Sequence, residues 1–317
     1  VNTKRLNEQQ LEEARDLLLG GELVAFPTET VYGLGACLFQ EGAIHKIFQV
    51  KGRPADNPLI VHIGDLALVE KITKNLPSMF FTLAKRFFPG PLTLLVPKAP
   101  CVPSIATGGL ASVAIRMPDH PIAQSLLRLV GEPVVAPSAN ISGRPSATTF
   151  EHVLEDFNGK IAAIIEGKST IGIESTVVSL LDSTPRILRP GTITQETLEE
   201  CLQCPVPIDS AKEGGGTLSP GTKYRHYAPK ARVTLFSSQE EANFYMQSLE
   251  CRRLILSGTQ IQESTNLLWR PLQMESFYAV LREADQRGCV EIAIVCDSLI
   301  KAHAGFMNRI EKSAGVS

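Results

Sequence analysis

Short apolar runs recur along residues 22–189, and several lead straight into stretches of hydroxyl, amide, cationic and glycine residues. Residues 26–35 read F-P-T-E-T-V-Y-G-L-G, residues 51–62 read K-G-R-P-A-D-N-P-L-I-V-H, and residues 136–146 read A-P-S-A-N-I-S-G-R-P-S. Apolar runs of this length, bounded by Gly, Pro, Asn and Ser, read as strands whose ends carry the polar residues. Strands are expected at 22–27, 59–63, 92–97, 112–117, 133–137, 161–166, 175–181 and 186–189. Helices are expected at 11–18, 41–50, 66–74, 78–87, 121–130, 149–157 and 195–203. Asn7 followed by Gln10 resembles a capping box, and Gly20-Gly21 ends the first helix. This irregular mixture predicts an α/β domain with a mixed, twisted sheet.

Residues 205–231 break the pattern with three consecutive glycines and four prolines, which hold no regular element. They read as a linker between a domain at 1–204 and another at 232–317. The linker's second half carries Lys223, Tyr224, Arg225, His226 and Tyr227 in succession, as expected of a segment that folds over a ligand site. Beyond it, strands at 232–236, 253–256 and 291–296 alternate with helices at 239–249, 275–287 and 302–313. That order predicts a small Rossmann-like α/β domain, without the G-x-G-x-x-G of a dinucleotide site.

Composition narrows the classes. A net charge of -2 over 317 residues argues against a broad electrostatic grip on nucleic acid. Seven cysteines at irregular spacing fit a reducing, cytoplasmic compartment better than a disulfide framework. The Cys201/Cys204 pair lacks a second pair and reads as a helix end, so no metal ligands are assigned. No apolar run is long enough to span a membrane, and the first residues lack the apolar core of a secretory leader. Gly167-Lys168-Ser169-Thr170 resembles the end of a P-loop, but Ala162 stands where the motif needs glycine.

The polar residues that remain suit a phosphorylated ligand beside a small polar one. Lys51 and Arg53, stiffened by Pro54 and Pro58, can neutralise a polyphosphate. As exposed cations they would contribute little to folding, so replacing either with alanine is expected to weaken use of the phosphorylated ligand far more than stability. Ser138, Asn140, Ser142 and Ser146 can wrap phosphates. Thr28, Glu29, Thr30 and Tyr32 sit at a strand end, where Gly33 and Gly35 permit close approach. Arg116, in an apolar strand, demands a carboxylate from either the protein or a ligand. His62 ends its own strand, a place where histidine is commonly a satisfied core residue.

As a set, P-T-E-T-V-Y-G-L-G, K-G-R-P-x-x-N-P-L, S-A-N-x-S-G, E-S-T-V-V, I-L-R-P-G and P-G-T-K-Y-R-H-Y-A-P resemble the YrdC family of threonylcarbamoyl-AMP synthases in its longer two-domain form. The resemblance spans the first domain, the linker and the C-terminal domain. It implies a nucleotidyltransferase that makes L-threonylcarbamoyl-adenylate from L-threonine, bicarbonate and ATP, with Mg²⁺ arriving on the ATP and pyrophosphate leaving. A separate transferase complex would move the product to tRNA next to the anticodon; direct tRNA binding stays open. It implies that Lys51, Arg53, Asn57, Ser138, Asn140, Ser146 and Arg189 hold ATP, joined by His226 from the linker. It implies that Thr30, His62, Arg116, Thr176 and Ser175 hold threonine, with Arg116 on its carboxylate. No catalytic acid or base is assigned. A carbamoyl-adenylate enzyme of another pathway and an RNA-binding module are the alternatives, the latter disfavoured by the charge balance.

Overall fold

Alternate residues of the first sheet feed two different cores. The structure, a computed structural model, describes residues 2–209, 227–247 and 251–315. Its first sheet contains β1 (Lys4–Leu6), β2 (Val24–Phe26), β3 (Gly33–Cys37), β4 (Ile60–His62), β5 (Leu92–Pro97), β6 (Ser112–Arg116), β7 (Val134–Val135), β8 (Ala163–Ile165), β9 (Thr176–Ser179) and β10 (Arg186–Arg189), in the order β1-β8-β2-β3-β7-β4-β6-β5-β9-β10. Parallel pairs (β1–β8, β2–β8, β4–β6, β5–β9) and antiparallel pairs are mixed. Val24, Phe26, Val134, Ala163 and Ile165 pack on one face against the helices Leu11–Leu19 and Pro121–Val130. Ala25, Val135 and Ile164 point the other way, toward the helices Glu41–Lys51, Ser78–Phe87 and Phe150–Phe157. A period of two therefore sorts each strand between two apolar layers, and removal of this area from water stabilises the sheet by roughly 25 cal/mol per Å².

The second sheet contains β11 (Arg232–Phe236), β12 (Arg253–Ser257), β13 (Leu267–Pro271) and β14 (Glu291–Val295), all parallel, in the order β11-β14-β12-β13. Leu254, Leu256, Ile292 and Ile294 face a core built with Phe277, Tyr278, Leu281, Phe306 and Ile310, and that core also takes in Val31 and Ile173 from the first sheet's loops. The two halves thus share apolar packing.

Three strands were not foreseen. β1 is short, with two of its three residues charged, and β13 is a partly exposed edge strand ending in proline. Neither carries a strong β signature. β3 (Gly-Leu-Gly-Ala-Cys) runs antiparallel to β2, so the first motif makes a strand-to-strand turn. The Gly35 position is crowded by the sheet itself: a Cβ there would lie 2.8 Å from Phe26 Cε1 and 3.1 Å from Val24 O. The asparagine capping box is present, but it caps the short 3-10 turn Glu8–Gln10 ahead of the first helix. The expected 66–74 helix is a 3-10 turn, Leu66–Leu68, followed by the short helix Val69–Ile72. The helix expected at about 302–313 is present as Ala304–Ser313, preceded by a separate short helix, Ser298–Ala302; His303 between them caps it by accepting from Phe306 N at 3.1 Å. Gly305 there lies against Gly191, where a Cβ would come within 2.3 Å of the Gly191 carbonyl.

Candidate active site

β4 and β6 lie side by side with His62 in register with Arg116, so two strand ends deliver both side chains to one place. The turn after β2, the loop after β7 and the start of β9 close around them. The cavity formed there is lined by Thr30, His62 and Arg116, by Arg53, Ser138 and Asn140, and by Glu174, Ser175, Arg189 and Tyr227. Residues more than a hundred positions apart in the chain therefore converge in one hollow.

Arg116 is buried, and its partner is a protein carboxylate. Arg116 Nη2 stands 2.6 Å from Glu29 Oε1, its Nη1 donates to Thr30 Oγ1 at 2.8 Å and its Nε to Gly90 O at 3.3 Å. The Nη2–Glu29 contact is an ion pair without a directed hydrogen bond, so that donor retains bonding capacity. Glu29 is the residue that sequence reading placed in the turn without giving it a task. Thr30 is oriented in turn by Thr28, whose hydroxyl lies 3.0 Å away and also reaches Val31 O at 2.6 Å.

His62 is buried edge-on to Phe26, with ring centroids 6.4 Å apart. Burial, then the adjacent Arg116 cation, push its pKa down to about 3. Burial and Arg282 likewise push His152 down to about 4. Both rings are therefore neutral in the folded protein while their unfolded counterparts protonate near 6.5. Stability from this source is present above pH 6.5 and is lost as pH falls toward those depressed values, at about 1.4 kcal/mol per pH unit for each histidine. Wild type is therefore expected to lose stability between pH 6 and 4 more steeply than His62→Gln. Denaturant titrations at each pH measure both slopes; equal slopes would mean that His62 takes up its proton in the folded state.

Arg53 and Lys51, two residues apart, have different fates. Arg53 is half-buried, lines the cavity and donates from Nη2 to Pro58 O at 3.0 Å. Lys51 is 1% exposed. Its ammonium donates to Ser138 O and Asn140 O, both at 2.5 Å, while its own carbonyl accepts from Ser142 N at 2.9 Å. Burial and the neighbouring Arg53 hold it below the ordinary lysine range. The helix Glu41–Lys51 is thus stitched to the 138–142 loop, and Lys51 shapes that loop from behind. The expectation of an exposed Lys51 is corrected: the carbonyls of the loop, turned inward, form its socket.

Arg189 Nε and Nη2 donate to Ser175 O at 3.1 and 3.0 Å, and Nη2 reaches Ser175 Oγ at 3.2 Å. Glu174, which sequence reading treated as the start of a strand, is a cavity wall. Its Oε1 accepts from Ser146 Oγ at 2.6 Å, and its Oε2 from Tyr278 OH at 3.0 Å and Arg309 Nε at 2.7 Å. Tyr227 closes this side, stacked on Tyr278 with centroids 5.4 Å apart.

Four predicted residues lie behind the lining. Besides Lys51, Ser146 is engaged with Glu174, and Thr176 Oγ1 donates to Ile193 O at 2.8 Å while accepting from Ile193 N. Asn57 is buried with neither amide atom hydrogen-bonded to the protein. His226, with Lys223, Tyr224 and Arg225, lies outside the described residues. Cys201 sits in the last turn of the helix Gln195–Leu202 and Cys204 just beyond it. Among the described residues no three His, Cys, Asp or Glu side chains gather to hold a metal, and no helix is long and apolar enough to cross a membrane.

The family model Sua5_yciO_yrdC, described as Telomere recombination, matches residues 16–191. A second, Sua5_C, described as Threonylcarbamoyl-AMP synthase, C-terminal domain, matches residues 193–315. A protein of Pyrococcus abyssi (strain GE5 / Orsay) named Threonylcarbamoyl-AMP synthase is 41% identical over 329 residues, covering 98% of this chain and 96% of its own length. A Bacillus subtilis (strain 168) protein of the same name is 42% identical, covering 98% and 94%. The crystal structure of P. abyssi Sua5 complexed with L-threonine superposes with a TM-score of 0.89 at 38% identity, over 99% of this chain and 98% of that one.

Proposed function

We infer the reaction from one premise: the chain belongs to the family of threonylcarbamoyl-AMP synthases, in which a Sua5–YrdC domain is followed by a Sua5 C-terminal domain. The reading is that it joins L-threonine, bicarbonate and ATP into L-threonylcarbamoyl-adenylate. The observation that carries it is that one cavity is lined by Arg53, Ser138 and Asn140 together with Thr30, His62 and Arg116. Arg53, Ser138 and Asn140 offer a cation and small donors suited to phosphate oxygens, and Arg116 with Thr30 offers a buried guanidinium and a hydroxyl suited to an amino acid.

Arg116 would meet the threonine carboxylate through Nη2, the donor not committed to a directed hydrogen bond. Glu29, already paired with that guanidinium, keeps the pocket's charge balanced before substrate arrives. The neutral His62 would pack on the threonine side chain without adding charge. Arg53 would face the phosphates, while Lys51 would keep the Ser138 and Asn140 loop in shape. Mg²⁺ would arrive on the ATP phosphates as part of the substrate.

Chemically, the threonine nitrogen takes up the carbon of bicarbonate and releases water. A carbamate oxygen then bonds to the α-phosphorus as the bond to the bridging oxygen breaks, and pyrophosphate leaves. Such a displacement draws its rate from positioning and charge neutralisation rather than from a triad, as expected of a site rich in cations and hydroxyls. The product would pass to a transferase that modifies tRNA beside the anticodon. The test is pyrophosphate release by the purified chain without tRNA. Release is expected only when threonine, bicarbonate and ATP are all present; release indifferent to threonine would exclude the reading.

A further inference from the structure

Two arginines of the second half of the chain end inside the first. Arg309, on the helix Ala304–Ser313, is 0% exposed, and Arg282, on the helix Phe277–Gln286, is 1% exposed. Arg309 grips one cavity wall: besides the Glu174 carboxylate, its Nη2 reaches Glu174 O at 3.1 Å and its Nη1 Pro190 O at 2.9 Å. Arg282 grips the loop that presents Ser138 and Asn140. Its Nε and Nη2 donate to Pro145 O at 3.1 and 2.8 Å, and Nη2 reaches Asp156 Oδ2 at 2.7 Å. Asp156 in turn accepts from Ile141 N at 3.2 Å and from Arg144 Nη1 at 2.5 Å, both on the same loop.

The electrostatics give these contacts a purpose. Glu174 lines the cavity, and an unmatched carboxylate there would repel a polyphosphate. Burial would by itself raise its pKa, but Arg309 and then Arg189 outweigh that and hold it below the ordinary carboxylate range. Its charge is therefore present but answered. Each guanidinium serves several fixed acceptors with one planar fork, which a lysine ammonium cannot reproduce.

We propose that Arg309 and Arg282 are positioning residues for the nucleotide, so that the C-terminal domain completes the active site of the first domain. This rests on the ATP-binding reading above. Because the coupling is reciprocal, nucleotide bound between the two walls stabilises the helices from which they hang.

The test uses the full chain. Arg309→Lys and Arg282→Lys keep the charge and lose the fork. Each is expected to raise KM for ATP at least tenfold, leave KM for threonine within twofold, and remain folded by circular dichroism at the assay temperature. In the wild type, a non-hydrolysable ATP analogue is expected to slow amide hydrogen exchange in 277–286 and 304–313. Should a lysine variant fail to fold, the exchange measurement decides, since it needs no substitution. Folded variants with wild-type KM for ATP, an equal rise for both substrates, or exchange unmoved by the analogue would each overturn the proposal. If the wild type itself releases no threonine-dependent pyrophosphate, it is the enzymatic reading that fails.

Discussion

Replacing Lys51 with alanine is expected to lower the melting temperature by about 10 °C and to reduce adenylate formation more than a hundredfold. The buried ammonium supplies Ser138 O and Asn140 O with donors. Removal leaves one buried and one part-buried acceptor short and a void where the side chain ran, for a combined cost of roughly 3–5 kcal/mol. At about 2–4 °C per kcal/mol for a domain of this size, the shift follows. Activity falls further because the loop that loses its anchor presents Ser138 and Asn140 to the cavity. Thermal unfolding followed by circular dichroism, with adenylate yield normalised to folded protein, separates the two effects. A variant with wild-type stability would show that the loop holds itself without this lysine.

Arg53→Ala is expected to behave in the opposite way. Arg53 is half-buried, donates to the Asn57 and Pro58 carbonyls, and borders the cavity. Its loss should change stability by no more than about 1 kcal/mol. A cation aimed at a phosphate whose charge rearranges in the transition state supplies far more to the rate. The expected loss in kcat/KM for ATP is about 10²–10³, equivalent to about 2.7–4 kcal/mol. Arg53→Lys should recover part of it, since the charge survives and the fork does not. Steady-state kinetics with ATP varied at saturating threonine measure this. An Arg53→Ala enzyme with normal kinetics and a lowered melting temperature would assign Arg53 to structure.

Much of the first domain's layout was legible because its buried strands are apolar runs stopped by Gly, Pro and Ser. The elements at 78–87, 92–97 and 121–130 lie where the pattern puts them. β3 escaped because its glycines answer to Phe26 across the sheet, a tertiary demand that no local preference records. The site was legible as a set of residue types, and the lining unites Thr30, Arg53, His62, Arg116, Ser138, Asn140, Ser175 and Arg189. Depth was not legible. K-x-R spacing says nothing of which cation turns inward, and Lys51 does so only because the 138–140 carbonyls face it. Glu29, Glu174, Arg282 and Arg309 went unassigned for the same reason. Their partners lie at least 87 positions away in the chain: Arg116 for Glu29, Arg309 for Glu174, and Asp156 for Arg282.

A crystal structure of the chain with L-threonine and a non-hydrolysable ATP analogue tests the shared cavity most directly. The amino nitrogen of threonine is expected one carboxyl group away from the α-phosphorus, leaving space for reacting atoms to approach to roughly 3–3.5 Å. Arg116 should face the threonine carboxylate, and Arg53 the phosphates. Nucleotide and amino acid seated in separate places, or threonine turned so that its nitrogen points away from the phosphorus, would contradict it.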